Sequence, residues 1–240
     1  MLKNNFRKYS GLINSINMTR IKAVYNALEE LQNKVVFVGG AVVSLYADRE
    51  VFELRPTDDV DVLVEVMNYR ERTLLEEKLR SKGFTDEIGS GIVCRFKIKG
   101  ITVDIMPTND SSIGFTNAWY DKGFTNSISY TIDNKHIIRI LSAPYFLATK
   151  LEAFNGRGRG DGRTSQDFED IVFVLEQRST IWNELRAVDD ELRMYFVREL
   201  IQLKANHNLP EWMDSHVERN IPRASIRILE EMDRFLNERM

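Results

Sequence analysis

Val35-Val36-Phe37-Val38-Gly39-Gly40-Ala41-Val42-Val43-Ser44-Leu45-Tyr46, and shortly after it Arg55-Pro56-Thr57-Asp58-Asp59-Val60-Asp61-Val62-Leu63-Val64, decide the fold. The first four residues are an apolar run rich in β-branched and aromatic side chains, which suits a strand covered on both faces. Two glycines end it, and the segment to Ala47 has a helical pattern. A strand handing over to a helix at glycines offers unpaired backbone N–H groups and lets an anion approach the main chain. The second stretch opens another apolar strand with carboxylates. Residues two apart on a strand share a face, so Asp59 and Asp61 point one way and Asp58 the other. Close carboxylates repel unless a cation or a proton relieves them.

Outward from this stretch, residues 18–33 place Ile21, Val24, Leu28 and Leu31 on one helical face that leads into the first strand. Arg70 to Lys82 reads as a charged helix with Leu74, Leu75 and Leu79 inward and Gly83 as its C-terminal cap. Gly91 to Ile98 and Ile101 to Met106 flank the turn signal Lys99-Gly100 and form a hairpin. The hairpin delivers Asp104 near the end of a strand adjacent to Asp59 and Asp61. Residues 107–127 show no period. Tyr130–Ile132 and His136–Ile140 are a further pair of short strands, and Ser142 with Pro144 opens a helix carrying Phe146, Leu147, Leu151 and Phe154. Lys150 lies close to its inward stripe.

Gly156 to Arg163 alternates glycines with Arg157, Arg159 and Arg163, and is expected to be a mobile basic loop. A helix with acids in its first turn follows at Gln166-Asp167-Phe168-Glu169-Asp170. Beyond Arg178 the pattern is helical, with one stripe at Leu192, Phe196, Leu200 and Leu203 and another at Ile226, Leu229, Met232 and Leu236. This predicts an α+β protein: a mixed β-sheet flanked by helices over residues 1–178, and a C-terminal helical bundle domain over 179–240.

Composition bounds the chemistry. The 240 residues are 43% hydrophobic and 29% charged with a net charge of -3, an ordinary globular balance without a global polyanion-binding charge. Cys94 is the only cysteine, which excludes an internal disulfide framework and a cysteine-based zinc site. It reads as a core thiol. His136, His207 and His216 are scattered. No run has the length of a membrane span, and the start lacks an apolar leader core, so a cytoplasmic protein is the expectation. The glycines match neither GxGxxG nor GxxxxGK[ST], so neither of those nucleotide motifs applies.

Gly39-Gly40, Arg55-Pro56-Thr57-Asp58-Asp59-Val60-Asp61, Val103-Asp104-Ile105, Lys150-Leu151-Glu152-Ala153-Phe154 and Asp167-Phe168-Glu169-Asp170 together resemble the DNA polymerase β-like nucleotidyltransferase superfamily. Within it they are similar to the AbiEii/AbiGii-type toxins, over about the first three quarters of the chain. The resemblance implies a nucleotidyltransferase fold and a metal-dependent transfer of NMP from an NTP to a hydroxyl, with release of pyrophosphate. It implies two Mg²⁺ ions on Asp59, Asp61 and Asp104. By the residues themselves, Gly39 and Gly40 would contact the β and γ phosphates or simply make a tight strand-to-helix turn, and Thr57 would hold the entry loop by a side-chain hydrogen bond or be an ordinary strand-start threonine. Lys150 would be a nucleotide contact, and Asp167 would be needed for activity, with Asp170 as its fallback. Arg157, Arg159 and Arg163 are candidates for gripping triphosphate or an RNA backbone, the alternative being a solvated loop, and the glycine-rich expansion departs from the family's Lys-x-x-x-x-x-x-Arg element.

Toxin similarity points to RNA, especially a tRNA 3′ end, as acceptor, and to an antitoxin protein as partner. A protein hydroxyl and a small molecule such as an aminoglycoside stay open as acceptors. Two other readings also stay open: a catalytically silent protein binding a nucleotide or partner on the same scaffold, and an interaction module built on the helical tail.

Overall fold

The computed structural model describes residues 2–49, 55–65, 69–87, 94–109, 117–157, 160–219 and 221–238, with residues 2–13 as backbone only. The chain forms two compact units, Met1–Ser44 with Glu53–Ser142, and Leu45–Phe52 with Ala143–Met240. The packing boundary therefore falls at Ser142/Ala143, where the sequence placed it at residue 178. The helices after Ser142 bury their apolar faces against later helices, which local pattern alone does not reveal.

In the first unit, α1 (Leu2–Leu28) runs into a 3₁₀ turn, Glu29–Lys34, and buries Ile21, Val24, Leu28 and Leu31. The strands are β1 (Val35–Val38), β2 (Asp59–Val64), β3 (Thr85–Asp86), β4 (Arg95–Ile98), β5 (Ile101–Pro107), β6 (Ile128–Asp133) and β7 (His136–Ile140). They form one mixed sheet in the order β3-β4-β5-β2-β1-β7-β6. All four residues of β1 are buried, as expected of a strand covered on both faces. It pairs antiparallel with β2 and parallel with β7, while β2 runs parallel to β5. Helix α1 packs on β2, β5 and β7.

Two turns follow from glycine. Lys99 and Gly100 both have positive φ, 50° and 79°, the conformation of a two-residue hairpin turn, and this fixes the β4–β5 register. Gly83, at φ 88°, ends α2 (Tyr69–Ser81), with the amides of Gly83 and Phe84 returning to the carbonyls of Arg80 and Leu79. Leu79 of α2 is buried as expected, but Leu74 is exposed because it lies well round the helix from Leu79. The segment after Gly40 is a 3₁₀ helix, Gly40–Tyr46, rather than an α-helix. Within the patternless 107–127 region lies a short helix, α3 (Tyr120–Thr125).

Among the described residues, the second unit is helical: α4 (Ala143–Arg157), α5 (Gln166–Gln177), α6 (Ile181–Ala187), α7 (Asp190–Lys204), α8 (Leu209–His216) and α9 (Ala224–Asn237). The expected stripe Leu192, Phe196, Leu200, Leu203 of α7 is buried. On α9 the buried face is Ile228, Met232 and Phe235, whereas Ile226 is exposed and Leu229 and Leu236 are half-buried. The glycine-rich loop is partly fixed in place. A side chain at Gly162 would collide with the Trp212 ring, 2.7 Å from its Cδ2, and the Gly162 carbonyl lies 2.7 Å from His216 Nε2. Gly158 and Arg159 lie outside the described residues.

Candidate metal centre

The β-sheet register builds a row of side chains across four strands. Val38 pairs with Asp61, Asp61 with Asp104, and Asp104 with Arg95. Directly paired residues project from the same face, so Asp61, Asp104 and Arg95 meet there. Asp59, two residues before Asp61 on β2, joins them. The carboxylates of Asp59, Asp61 and Asp104 each offer an oxygen within 4.8 Å of the others, with Asp104 buried and the other two half-buried. Such an all-oxygen set of hard ligands can hold a divalent cation.

Gly39 is required by this arrangement. Its φ is +73°, and a Cβ there would run into the Asp61 carboxylate. The position directly after Val38, the pairing partner of Asp61, therefore has to be bare for the aspartate to reach the site. Gly40 is packed differently, since a Cβ would lie 2.6 Å from Arg55 Nη2 and 2.9 Å from Thr57 Cγ2. Thr57 is buried and its hydroxyl donates to Asn17 Oδ1 at 3.1 Å, while the Arg20 guanidinium donates to the Thr57 carbonyl. The entry to β2 is thus tied to α1 by a side-chain hydrogen bond.

Arg95 is the residue that sequence reasoning missed. Its Nε and Nη2 donate to the two oxygens of Asp104, each at 2.7 Å, and Nη2 also reaches Asp59 Oδ2 at 3.3 Å. The hydrogen bond to Asp104 holds its pKa further above the usual guanidinium value. A signal existed. Once Lys99-Gly100 is taken as a two-residue turn, counting back along the ladder sets Arg95 opposite Asp104. Next to it, burial pushes the Cys94 thiol up to about 11, with the Asp104 and Asp61 charges adding to the effect.

Lys150, Arg157, Asp167 and Asp170 come together in the second unit. Lys150 Nζ sits 3.2 Å from Asp167 Oδ1 and 2.6 Å from Asp170 Oδ2, and all three side chains are buried. The Arg157 guanidinium clamps Asp167 through Nε at 2.7 Å and Nη2 at 2.9 Å. Burial pushes Asp167 up, but the Arg157 hydrogen bond and the charges of Lys150 and Arg157 outweigh it and leave the carboxyl below its ordinary value. The Lys150 side chain is only 9% exposed, whereas Arg157 is 72% exposed. The accessible cation of this cluster is therefore Arg157. Ser165 caps α5 by accepting from the Phe168 amide, which fixes the turn carrying Asp167.

Neither a protein-family model nor a curated protein sequence matches this chain. Among the described residues, no helix is long and apolar enough to cross a membrane.

Proposed function

We propose that this protein is a metal-dependent nucleotidyltransferase on a nucleotidyltransferase-type sheet, transferring NMP from an NTP to an acceptor hydroxyl. The observation that carries the reading is the convergence of Asp59, Asp61 and Asp104 from two adjacent parallel strands, with Gly39 kept bare against Asp61. The residues fit Mg²⁺, which takes oxygen ligands and keeps several waters for substrate phosphates to replace. When bound, Mg²⁺ supplies the charge neutralisation and the lowered hydroxyl pKa that such transfer needs, and two ions are the expected complement.

In the reaction, the acceptor oxygen forms a bond to the α-phosphorus, the bond from that phosphorus to its bridging oxygen breaks, and pyrophosphate leaves. The hydroxyl proton passes to solvent. The chain's own contribution is positioning. The β2–β5 pairing holds the three carboxylates in one constellation before substrate arrives, so little reorganisation is left for the transition state. Gly39, half-buried beside Asp61, is the glycine where a phosphate oxygen could approach the main chain, whereas Gly40 is buried against Arg55 and Thr57. In the second unit we assign Asp167 the role of orienting Arg157 and Lys150. RNA, in particular a tRNA 3′ end, is the preferred acceptor, and an antitoxin protein is the corresponding partner.

A second reading has an observation of its own in favour. Arg95 already neutralises Asp104 and touches Asp59, as in a catalytically silent scaffold that uses its acids for structure. Incubation with each α-³²P-labelled NTP, Mg²⁺ and total RNA, beside an Asp59→Asn/Asp61→Asn double variant, separates the two. Label in RNA or protein with wild type alone supports transfer. No label with any NTP, despite a folded protein, favours the silent scaffold.

A further inference from the structure

We propose that Arg95 is a built-in counter-ion of the acidic triad, and that a divalent cation binds there by displacing it. The inference rests on reading the triad as a metal site and concerns how that site is filled.

Three carboxylates with oxygens within 4.8 Å of one another are a costly arrangement without positive charge among them. Arg95 supplies it from the strand on the far side of Asp104. Its two 2.7 Å bonds to Asp104 and the 3.3 Å bond to Asp59 use oxygens of two of the three carboxylates at once. A planar fork matched to a carboxylate is the strongest form of such a pair. An ion taking oxygens from Asp59, Asp61 and Asp104 together competes for these same atoms. It also has to share the space with a guanidinium of like charge.

The register makes the pairing a property of the fold rather than of a wandering side chain. Arg95 is locked opposite Asp104 by the Lys99-Gly100 turn, and its side chain is 22% exposed. Displaced, the guanidinium has a route toward solvent. There it would be a donor for the anionic groups that accompany a metal-bound nucleotide, so metal and nucleotide should each favour the other's binding. In the absence of nucleotide the triad's affinity for metal is held down.

Titration of the intact protein with Mn²⁺, followed by electron paramagnetic resonance of the free ion and without nucleotide, tests this. Arg95→Met should bind Mn²⁺ about tenfold more tightly than wild type, because removing a competing charge-assisted fork favours the ion. Arg95→Lys keeps the charge but loses the fork, and should tighten binding by about threefold. It also serves as the comparison if Arg95→Met does not fold, judged by circular dichroism. Unchanged or weaker binding in the folded variants would overturn the proposal and make Arg95 a residue that merely positions Asp104. No Mn²⁺ binding by wild type or by either variant would overturn it together with the metal-site reading. The titration is independent of transfer: tighter binding in Arg95→Met supports the counter-ion role even if no NTP is ever used.

Discussion

Arg95 and Asp104 face each other across β4 and β5, with both aspartate oxygens 2.7 Å from guanidinium nitrogens. The same aspartate pairs on its other side with Asp61 of β2. One residue thus joins a candidate metal cluster to its own internal counter-charge, and the β5 strand is the spine of the site.

The glycine before the 3₁₀ turn should tolerate no side chain. Gly39→Ala adds about 1–2 kcal/mol of left-handed backbone strain and forces Asp61 out of place. We expect reduced stability to denaturant and at least about tenfold weaker Mn²⁺ binding. Gly40→Ala should be milder, because its backbone is not left-handed and the nearest atom is the end of the Arg55 side chain. Equal behaviour of the two variants would contradict the close-approach argument.

Removing a carboxylate should separate stability from metal response. Asp61→Asn removes one of the three candidate ligands, so its melting temperature should stop responding to metal. Wild type should gain about 2.7 kcal/mol when Mg²⁺ reaches a hundred times its dissociation constant, and the variant should gain nothing. Thermal scans with and without Mg²⁺ measure both.

The Asp167 cluster should behave as a structural keystone of the second unit. Asp167→Asn leaves Lys150 with Asp170 alone among these acids and frees Arg157 from its clamp, at a cost of about 3 kcal/mol, the low end for breaking a buried pair. The pH dependence has a definite sign. Asp167 lies below its ordinary value of 3.8, so its contribution is present above that value and is lost as pH falls through the folded-state pKa. Acid unfolding of wild type should therefore be steeper than that of Asp167→Asn, as denaturant midpoints between about pH 5 and 2 would show.

Cys94 should be nearly inert in the native protein. With its thiol pushed up to about 11, the thiolate fraction at pH 8 is on the order of 10⁻³, and the side chain is buried. Ellman's reagent should react slowly with folded protein and rapidly in guanidinium. The raised thiol also favours the fold below its ordinary value of 9.0, a contribution lost as pH rises through about 11.

The parts of this structure that were legible in the sequence rest on strand period and turn chemistry. Val35–Val38 as a buried strand, the shared face of Asp59 and Asp61, and the Lys99-Gly100 hairpin all follow from a side-chain period of two and from glycine's access to positive φ. That Asp104 would join them follows from the same pattern, although it sits within β5 rather than near its end. What was not legible depends on tertiary choice. Helical spacing allowed Ile226, Leu229, Met232 and Leu236 as a core stripe, but α9 turns Ile228, Met232 and Phe235 inward, because the neighbouring helices decide which face is covered. Lys150 by spacing alone could be solvated or buried. Its burial depends on Asp167 and Asp170 of a different helix. Arg95 is marked only by the hairpin register, which sets it opposite Asp104, and not by any motif of its own.

The most direct measurement is a crystal structure with Mn²⁺ and a non-hydrolysable NTP analogue, using anomalous scattering at the manganese edge. At least one manganese is expected among Asp59, Asp61 and Asp104, at about 2.1 Å from carboxylate oxygens in octahedral geometry, with triphosphate oxygens completing its shell and Arg95 swung off Asp104. No anomalous peak at the triad, with Arg95 still seated on Asp104 and Asp59, would contradict the metal-site reading and leave the acids a structural role.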